Sequence, residues 1–289
     1  MADKLPKLVF LVGCPRSGTT LLQSMLASHP DVASFPETKF FDHMEPWFEP
    51  KRMGWGMVSR RLRVRLEGFF RDELDQPELI DQLPRIFIFK GHYSRRFIKI
   101  LRTLAKQQYK SVLLEKTPEH IFYIDYIEKF FPDAKIIHIL RGGPDVIASL
   151  YQVTHQYPQW WDGAWDIERC IKRWVESIEI SFKHSGKPNH ILVRYEDLLK
   201  NPAFLVEGLC EFIGIYFYPK IIEDYSLAAK KVSFEAAGRT VRQSIQANHS
   251  GKFNSLFSPS QQEYILEQTR SIDLDQPEIF YSPFSQSSS

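Results

Sequence analysis

The chain has 289 residues, 43% of them hydrophobic and 25% charged, with 37 basic against 35 acidic side chains and a formal net charge of +2. That length supports one large α/β domain over 1–289 with a substantial core, and the near balance of charge excludes a chain-wide basic field for nucleic acid, so any anion site is local. Cys14, Cys170 and Cys210 are too scattered for a disulfide framework or zinc cluster and suggest reduced cytoplasmic thiols, no apolar run is long enough to span a membrane, and Met1-Ala-Asp-Lys4 does not read as a signal peptide.

Leu8 to Val12 is an apolar, β-branched run that reads as a buried parallel strand. A tight loop from Gly13 to Gly18 follows, and Leu21, Leu22, Met25 and Leu26 then recur at helical spacing. Strand, glycine-bounded loop and helix make a phosphate cradle, in which loop and first-turn N–H groups face an anion. Gly13 and Gly18 have the separation of the triphosphate motif, but Thr19 stands where that motif has lysine and Arg16 supplies a cation inside the loop. An ordinary strand-turn-helix is the plain alternative.

Val32 to Phe35 suggests a short second strand, and Pro36 aims Glu37 from its carboxyl end, where ligands bind in open parallel sheets. Glu37 is there either a general base or a solvated loop carboxylate. Residues 43–110 are the least legible: Trp47, Phe48 and Trp55 cluster, and Arg60, Arg61, Arg63 and Arg65 alternate with Leu62, Val64 and Leu66. A basic helical insertion or lid is one reading; a solvated helix face outside the core is the blander one. Ser94 to Lys106 is an amphipathic helix.

Ser111 to Glu115 reads as a strand with Lys116 just beyond its carboxyl end, and Thr117 is placed to cap a helix starting at Pro118. Lys135 to Leu140 is a second clear buried strand and ends in Arg141-Gly-Gly-Pro-Asp145, before a helix carrying Val146, Ile147, Leu150 and Val153. A magnesium nucleotidase often has an acidic residue at such a tip. A guanidinium there, with Ser149 downstream, suits a second phosphate held without metal, or else a structural salt bridge. Asp166 to Phe182 is helical, His190 to Val193 a strand, and Tyr195 at its end can pack on a flat base or in the core. Asn201 and Pro202 begin a helix that Gly214 stops, Arg239 to Asn254 is polar and basic, Gln261 to Arg270 is a last helix, and 285–289 form a disordered tail. The expected fold is α/β: a P-loop-like, three-layer arrangement with a central, mainly parallel sheet flanked by helices.

These motifs resemble the sulfotransferases that use 3′-phosphoadenosine-5′-phosphosulfate (PAPS), over about residues 8 to 257. Cys14-Pro-Arg-Ser-Gly-Thr-Thr20 resembles the family's 5′-phosphosulfate loop, which implies cofactor contacts from Arg16, Ser17, Gly18, Thr19 and Thr20. Ile136 to Leu150 resembles its 3′-phosphate strand and helix, with Arg141 and Ser149 eight residues apart, and Tyr195 matches the adenine-side segment. Ser250-Gly-Lys-Phe253 resembles the late Gly-x-Trp loop, bringing Gly251 and Lys252 into the cofactor set with Phe253 in place of tryptophan. The branch is similar to tyrosylprotein and polyketide-type enzymes. That likeness implies Glu37 as base, Arg16 assisting the leaving group, and Lys116 and Ser244 stabilising the transition state. The histidine base of the cytosolic type has only His92 and His120 as candidates.

The implied reaction moves a sulfuryl group from PAPS to an acceptor hydroxyl without a metal. The acceptor is a small molecule, lipid, saccharide or peptide, and Tyr157-Pro-Gln-Trp-Trp161 and the 43–110 insertion are candidates to line its pocket. Two other readings stand beside it: a P-loop kinase or nucleoside triphosphatase using ATP and magnesium, and a non-catalytic nucleotide-binding module.

Overall fold

The structure is a computed structural model and describes residues 5–85, 89–224 and 251–274. Ser244 and the 285–289 tail lie outside the described residues. Among the described residues one parallel sheet runs β2-β3-β1-β4-β5, built from β1 (Lys7–Gly13), β2 (Val32–Ser34), β3 (Val112–Lys116), β4 (Lys135–Leu140) and β5 (His190–Arg194). After β3 the chain passes across β1 to form β4. The order therefore reverses at β1, and the carboxyl end of β1 is the crevice where such sheets take ligands.

Helices cover both faces. Up to Ile213 they are, in chain order, α1 (Thr19–Ala27), α2 (Phe40–Met44), α3 (Pro50–Gly54), α4 (Leu62–Gly68), α5 (Lys90–Gln107), α6 (Ile124–Phe130), α7 (Gly143–Gln156), α8 (Ile167–Lys183), α9 (Tyr195–Lys200) and α10 (Pro202–Ile213), and the helices Gly251–Leu256 and Pro259–Thr269 come later. The two-residue period of β1 divides the core. Leu8, Phe10 and Val12 join residues from 40 to 105 and from α6, whereas Val9 and Leu11 join α1 and α10. A strand buried on both faces has no polar alternation, which is why β1 reads as a continuous apolar run.

Residues 43–110 differ from the solvated face considered above. Leu62 and Leu66 are fully buried in the first core cluster and Val64 is 69% exposed. The i,i+4 spacing of α4, not the alternation of charge, decides which side chains enter the core. Thr117 also departs from expectation. Its hydroxyl is spent on Glu115 at 2.8 Å and does not cap, and the chain continues as a 3-10 turn over Pro118–Tyr123 before α6 begins.

The start of α7 is wedged from two sides. A Cβ on Gly143 would stand 2.9 Å from Thr269 Cγ2, in the helix Pro259–Thr269, and 3.1 Å from the Trp174 ring of α8. Trp174 also donates its indole N–H to the Arg141 carbonyl at 2.9 Å. No helix among the described residues is long and apolar enough to cross a membrane.

Three histidines gather beside β4 and β5. His138 Nε2 meets His190 Nδ1 at 2.9 Å, His190 Nε2 meets Glu128 at 3.1 Å, and the His184 and His190 ring centroids are 5.2 Å apart. Burial pushes His190 down to about 4 and His138 well below the ordinary 6.5. These rings stay neutral in the folded chain where an unfolded imidazole already binds a proton. Their contribution is therefore complete above 6.5 and is lost as pH falls toward about 4. The melting temperature should fall steadily across that window, and less so in His190→Asn; identical pH profiles for native and variant chains would contradict this.

Candidate active site

The loop after β1 is shaped by two close approaches. A Cβ on Gly13 would collide with the Ile139 carbonyl of β4, and one on Gly18 with the Tyr195 ring. Gly18 also has φ of 94°, in the left-handed region that favours glycine, and Arg16 occupies that region too at 75°. Ser17 N–H donates to the Cys14 carbonyl at 3.1 Å, which closes the turn. The first N–H groups of α1 have no intrahelical partner and open onto this loop. Gly18→Ala should lose nucleotide binding, because strain and the Tyr195 overlap displace the loop together. Unaltered binding by calorimetry would mean that the loop is not a cradle.

The loop is fastened to the β4–α7 unit at two points. Arg16 Nε donates to Ser149 Oγ at 3.1 Å, and Arg141 Nη1 donates to the Arg16 carbonyl at 3.3 Å. Arg141 Nη2 pairs with Asp145 at 2.9 Å, one helical turn on, and its guanidinium lies 4.6 Å from the Tyr195 ring centroid. Tyr195 is thus held between Gly18 and Arg141, with 8% of its surface exposed. Two buried atoms here, Ser17 Oγ and Arg141 Nε, have no hydrogen-bond partner among the described residues. Buried donors of this kind are costly unless an acceptor meets them, and phosphate oxygens are such acceptors.

Glu37 and Lys116 pair directly, Glu37 Oε1 accepting from the Lys116 ammonium. The Lys116 side chain is fully buried and that of Glu37 is 7% exposed. Lys116 is the last residue of β3, in register with Leu11, which places it two residues short of the Gly13 loop. Gln23 of α1 donates to Ser34 Oγ at 2.9 Å and to the Phe35 carbonyl at 3.1 Å, which fixes the exit of β2 ahead of Glu37. Behind the pair lies a second carboxylate, Glu115, which accepts from Thr38, Thr117 and His120, each at 2.8 Å. Burial raises the Glu115 carboxyl, but the His120 imidazole and the two threonine hydroxyls outweigh it and hold the group below its ordinary range.

The structure therefore brings Arg16, Ser17, Gly18, Arg141, Ser149 and Tyr195 together, and it joins Glu37 to Lys116 at the neighbouring strand tip. Thr19 is buried and Thr20 half-buried at the start of α1. Gly251 and Lys252 are exposed at the start of the helix Gly251–Leu256, and Lys252 Nζ reaches Gln152 at 3.0 Å, three residues beyond Ser149 on α7. Phe253 is buried against Phe257 in the core under α7. His120 commits its two ring nitrogens to Glu115 and the Phe41 N–H, and exposed His92 lines an open cleft with Trp55 and Phe89. Of the aromatic run, Trp161 packs edge-on against buried Trp165 at 5.7 Å, while Trp160 is half exposed. Sequence reasoning missed Gln23, Glu115 and the bond from Trp174 to the Arg141 carbonyl. The Glu-Lys-Thr and Glu-Thr-Lys triplets at 115–117 and 37–39 were the available signal for Glu115. Gln23 left no local pattern, and Trp174 showed only as one apolar position at helical spacing on α8.

A glycine-bounded loop at the centre of a parallel sheet, with a second cation at the next strand tip, defines an α/β protein of the P-loop-like class. The chain belongs to the sulfotransferase family, whose profile matches residues 6–219. It is 30% identical over 146 residues to nodulation protein NoeE of Sinorhizobium fredii, covering 50% of this chain and 31% of that protein. It is 26% identical over 249 residues to protein-tyrosine sulfotransferase 2 of Gallus gallus, covering 83% of this chain and 60% of the relative. The chain thus spans between about a third and three fifths of the length of these relatives. The sulfotransferase domain of the Synechococcus PCC 7002 olefin synthase shares the fold, with a TM-score of 0.58 at 21% identity over 95% of this chain and 98% of that one. A mouse sulfotransferase complexed with PAP superposes at 0.51 with 14% identity, over 94% and 87%.

Proposed function

We propose that this chain transfers a sulfuryl group from PAPS to the hydroxyl of an acceptor. The observation that carries the reading is the joining of two cationic strand tips: Arg16 of the β1 loop bonds Ser149 of α7, and Arg141, just after β4, bonds the Arg16 carbonyl. A nucleotide with phosphates at both ends fits that arrangement, and the unpaired Ser17 Oγ and Arg141 Nε supply the donor chemistry it calls for. The loop residues Arg16 to Thr20 would hold the 5′-phosphosulfate. Arg141 and Ser149 would hold the 3′-phosphate, with Tyr195 on the adenine side and Gly251 and Lys252 closing from the last segment.

PAPS, when bound, supplies a sulfuryl group activated by a phosphate leaving group. Glu37 takes the proton of the acceptor hydroxyl, and Arg16 and Lys116 stabilise the negative charge that develops on the transferring oxygens. Ser244 is assigned to the same task on resemblance alone. The free, buried cysteines are in keeping with a cytoplasmic setting. The test is transfer of labelled sulfate from PAPS to a panel of alcohols, phenols, sugars and tyrosyl peptides. Transfer without added metal is the expected result. Magnesium-dependent ATP turnover with no response to PAPS would overturn the reading in favour of a kinase or triphosphatase.

A further inference from the structure

We propose that Glu115 is a positioning residue for this transfer: the buried carboxylate is the hub that holds Glu37 and Lys116 in their working alignment. This rests on the sulfotransferase reading above. Side chains alternate along β3, so Lys116 leaves on one face and Glu115 and Thr117 on the other. The segment after β2 answers that strand tip almost residue by residue. Glu37 meets Lys116, Thr38 meets Glu115, the Lys39 N–H meets Thr117 Oγ1 at 3.3 Å, and the Phe41 N–H meets His120 Nε2 at 3.3 Å.

The hydrogen-bond accounting leaves one arrangement. A backbone N–H only donates, so His120 Nε2 is the unprotonated nitrogen and the ring proton sits on Nδ1, directed at Glu115. Thr38 Oγ1 accepts from the Phe40 N–H at 3.2 Å and Thr117 Oγ1 from the Lys39 N–H, which leaves both hydroxyl protons for Glu115. Three donors therefore converge on a carboxylate that is 3% exposed. The His120 ring is packed among aromatics, with centroids 4.6 Å from Phe41 and 6.4 Å from Phe10. An apolar side chain would fill such a place without the desolvation cost of a charge. What the carboxylate adds is orientation. Its donors belong to the segment that carries Glu37 and to the turn that follows Lys116.

Displacing a reacting group by about 1 Å can cost ~10²-fold in rate. Glu115→Gln keeps the shape but sets an amide N–H against one of the three donors. Thr38→Val removes one donor without touching the charge, and Thr38→Ser restores it. In Glu115→Gln and Thr38→Val we expect kcat to fall ~10-fold or more, with the KM for PAPS and the affinity for 3′,5′-diphosphoadenosine within about twofold of native; Thr38→Ser should recover native kcat. Should Glu115→Gln not fold, the two Thr38 variants decide. A kcat within about twofold of native in folded Thr38→Val overturns the role, as does a loss that falls equally on nucleotide affinity. Failure of the native chain to transfer from PAPS to any acceptor overturns the underlying reading and the role with it, whereas native transfer beside unimpaired variants overturns the role alone.

Discussion

Glu37→Gln is expected to lower turnover ~10²–10⁴-fold while leaving the affinity for 3′,5′-diphosphoadenosine unchanged. Glutamine keeps an oxygen for the Lys116 ammonium but does not take a proton at neutral pH. Glu37→Ala should lose the same activity and also lose stability, because it removes an ion-pair partner of a lysine that is fully buried. Removing one partner of a buried pair costs about 3–5 kcal/mol, so the melting temperature of the alanine variant should fall well below that of the glutamine variant. Single-turnover measurements with saturating PAPS separate the two effects. Full turnover of Glu37→Gln on a true acceptor would remove its assignment as base.

Arg141→Ala should weaken binding of 3′,5′-diphosphoadenosine ~10–100-fold, the range for losing hydrogen bonds to a charged group. It should affect 5′-AMP much less, since the 3′-phosphate is the proposed partner. The change also removes the cation from the face of Tyr195, the donor to the Arg16 carbonyl and the partner of Asp145. Some loss with every adenine nucleotide is therefore expected. The informative quantity is the ratio of the two affinities, measured by calorimetry. An unchanged preference for the 3′-phosphorylated nucleotide would take Arg141 out of the 3′ site.

The strands and the glycine-bounded loop were legible because their signals are local. β1 carries a continuous apolar run from Leu8 to Val12 and β4 an apolar run interrupted only by buried His138, and Gly18 sits at a position whose left-handed backbone and contact with Tyr195 admit no Cβ. The helix expected over Gln261 to Arg270 starts two residues earlier, at Pro259, where Ser258 and Gln261 form a capping box that the apolar spacing alone did not show. Residues 43–110 were hard to read because Leu62 and Leu66 enter the core on a short helix whose charged positions mask the spacing. In the site, Glu37, Lys116 and Arg141 were found from their places at strand ends. The contacts that orient them were not. Glu115 meets Thr38 across 77 positions and Arg16 meets Ser149 across 133, and no periodicity records pairings of that range. Thr117 shows the opposite failure: its cap signal was clear, but a buried carboxylate two residues away took the hydroxyl.

The family match stops at 219, yet Gly143, where α7 begins, is pressed by Thr269 from the far end of the chain. A fragment cut at the family boundary would retain Arg16, Arg141 and Ser149 but leave one flank of α7 bare. Its donor pocket would be built on an unbuttressed helix. The minimal unit worth expressing accordingly reaches past Thr269, and the helix Pro259–Thr269 acts as a keystone beside the proposed phosphate site.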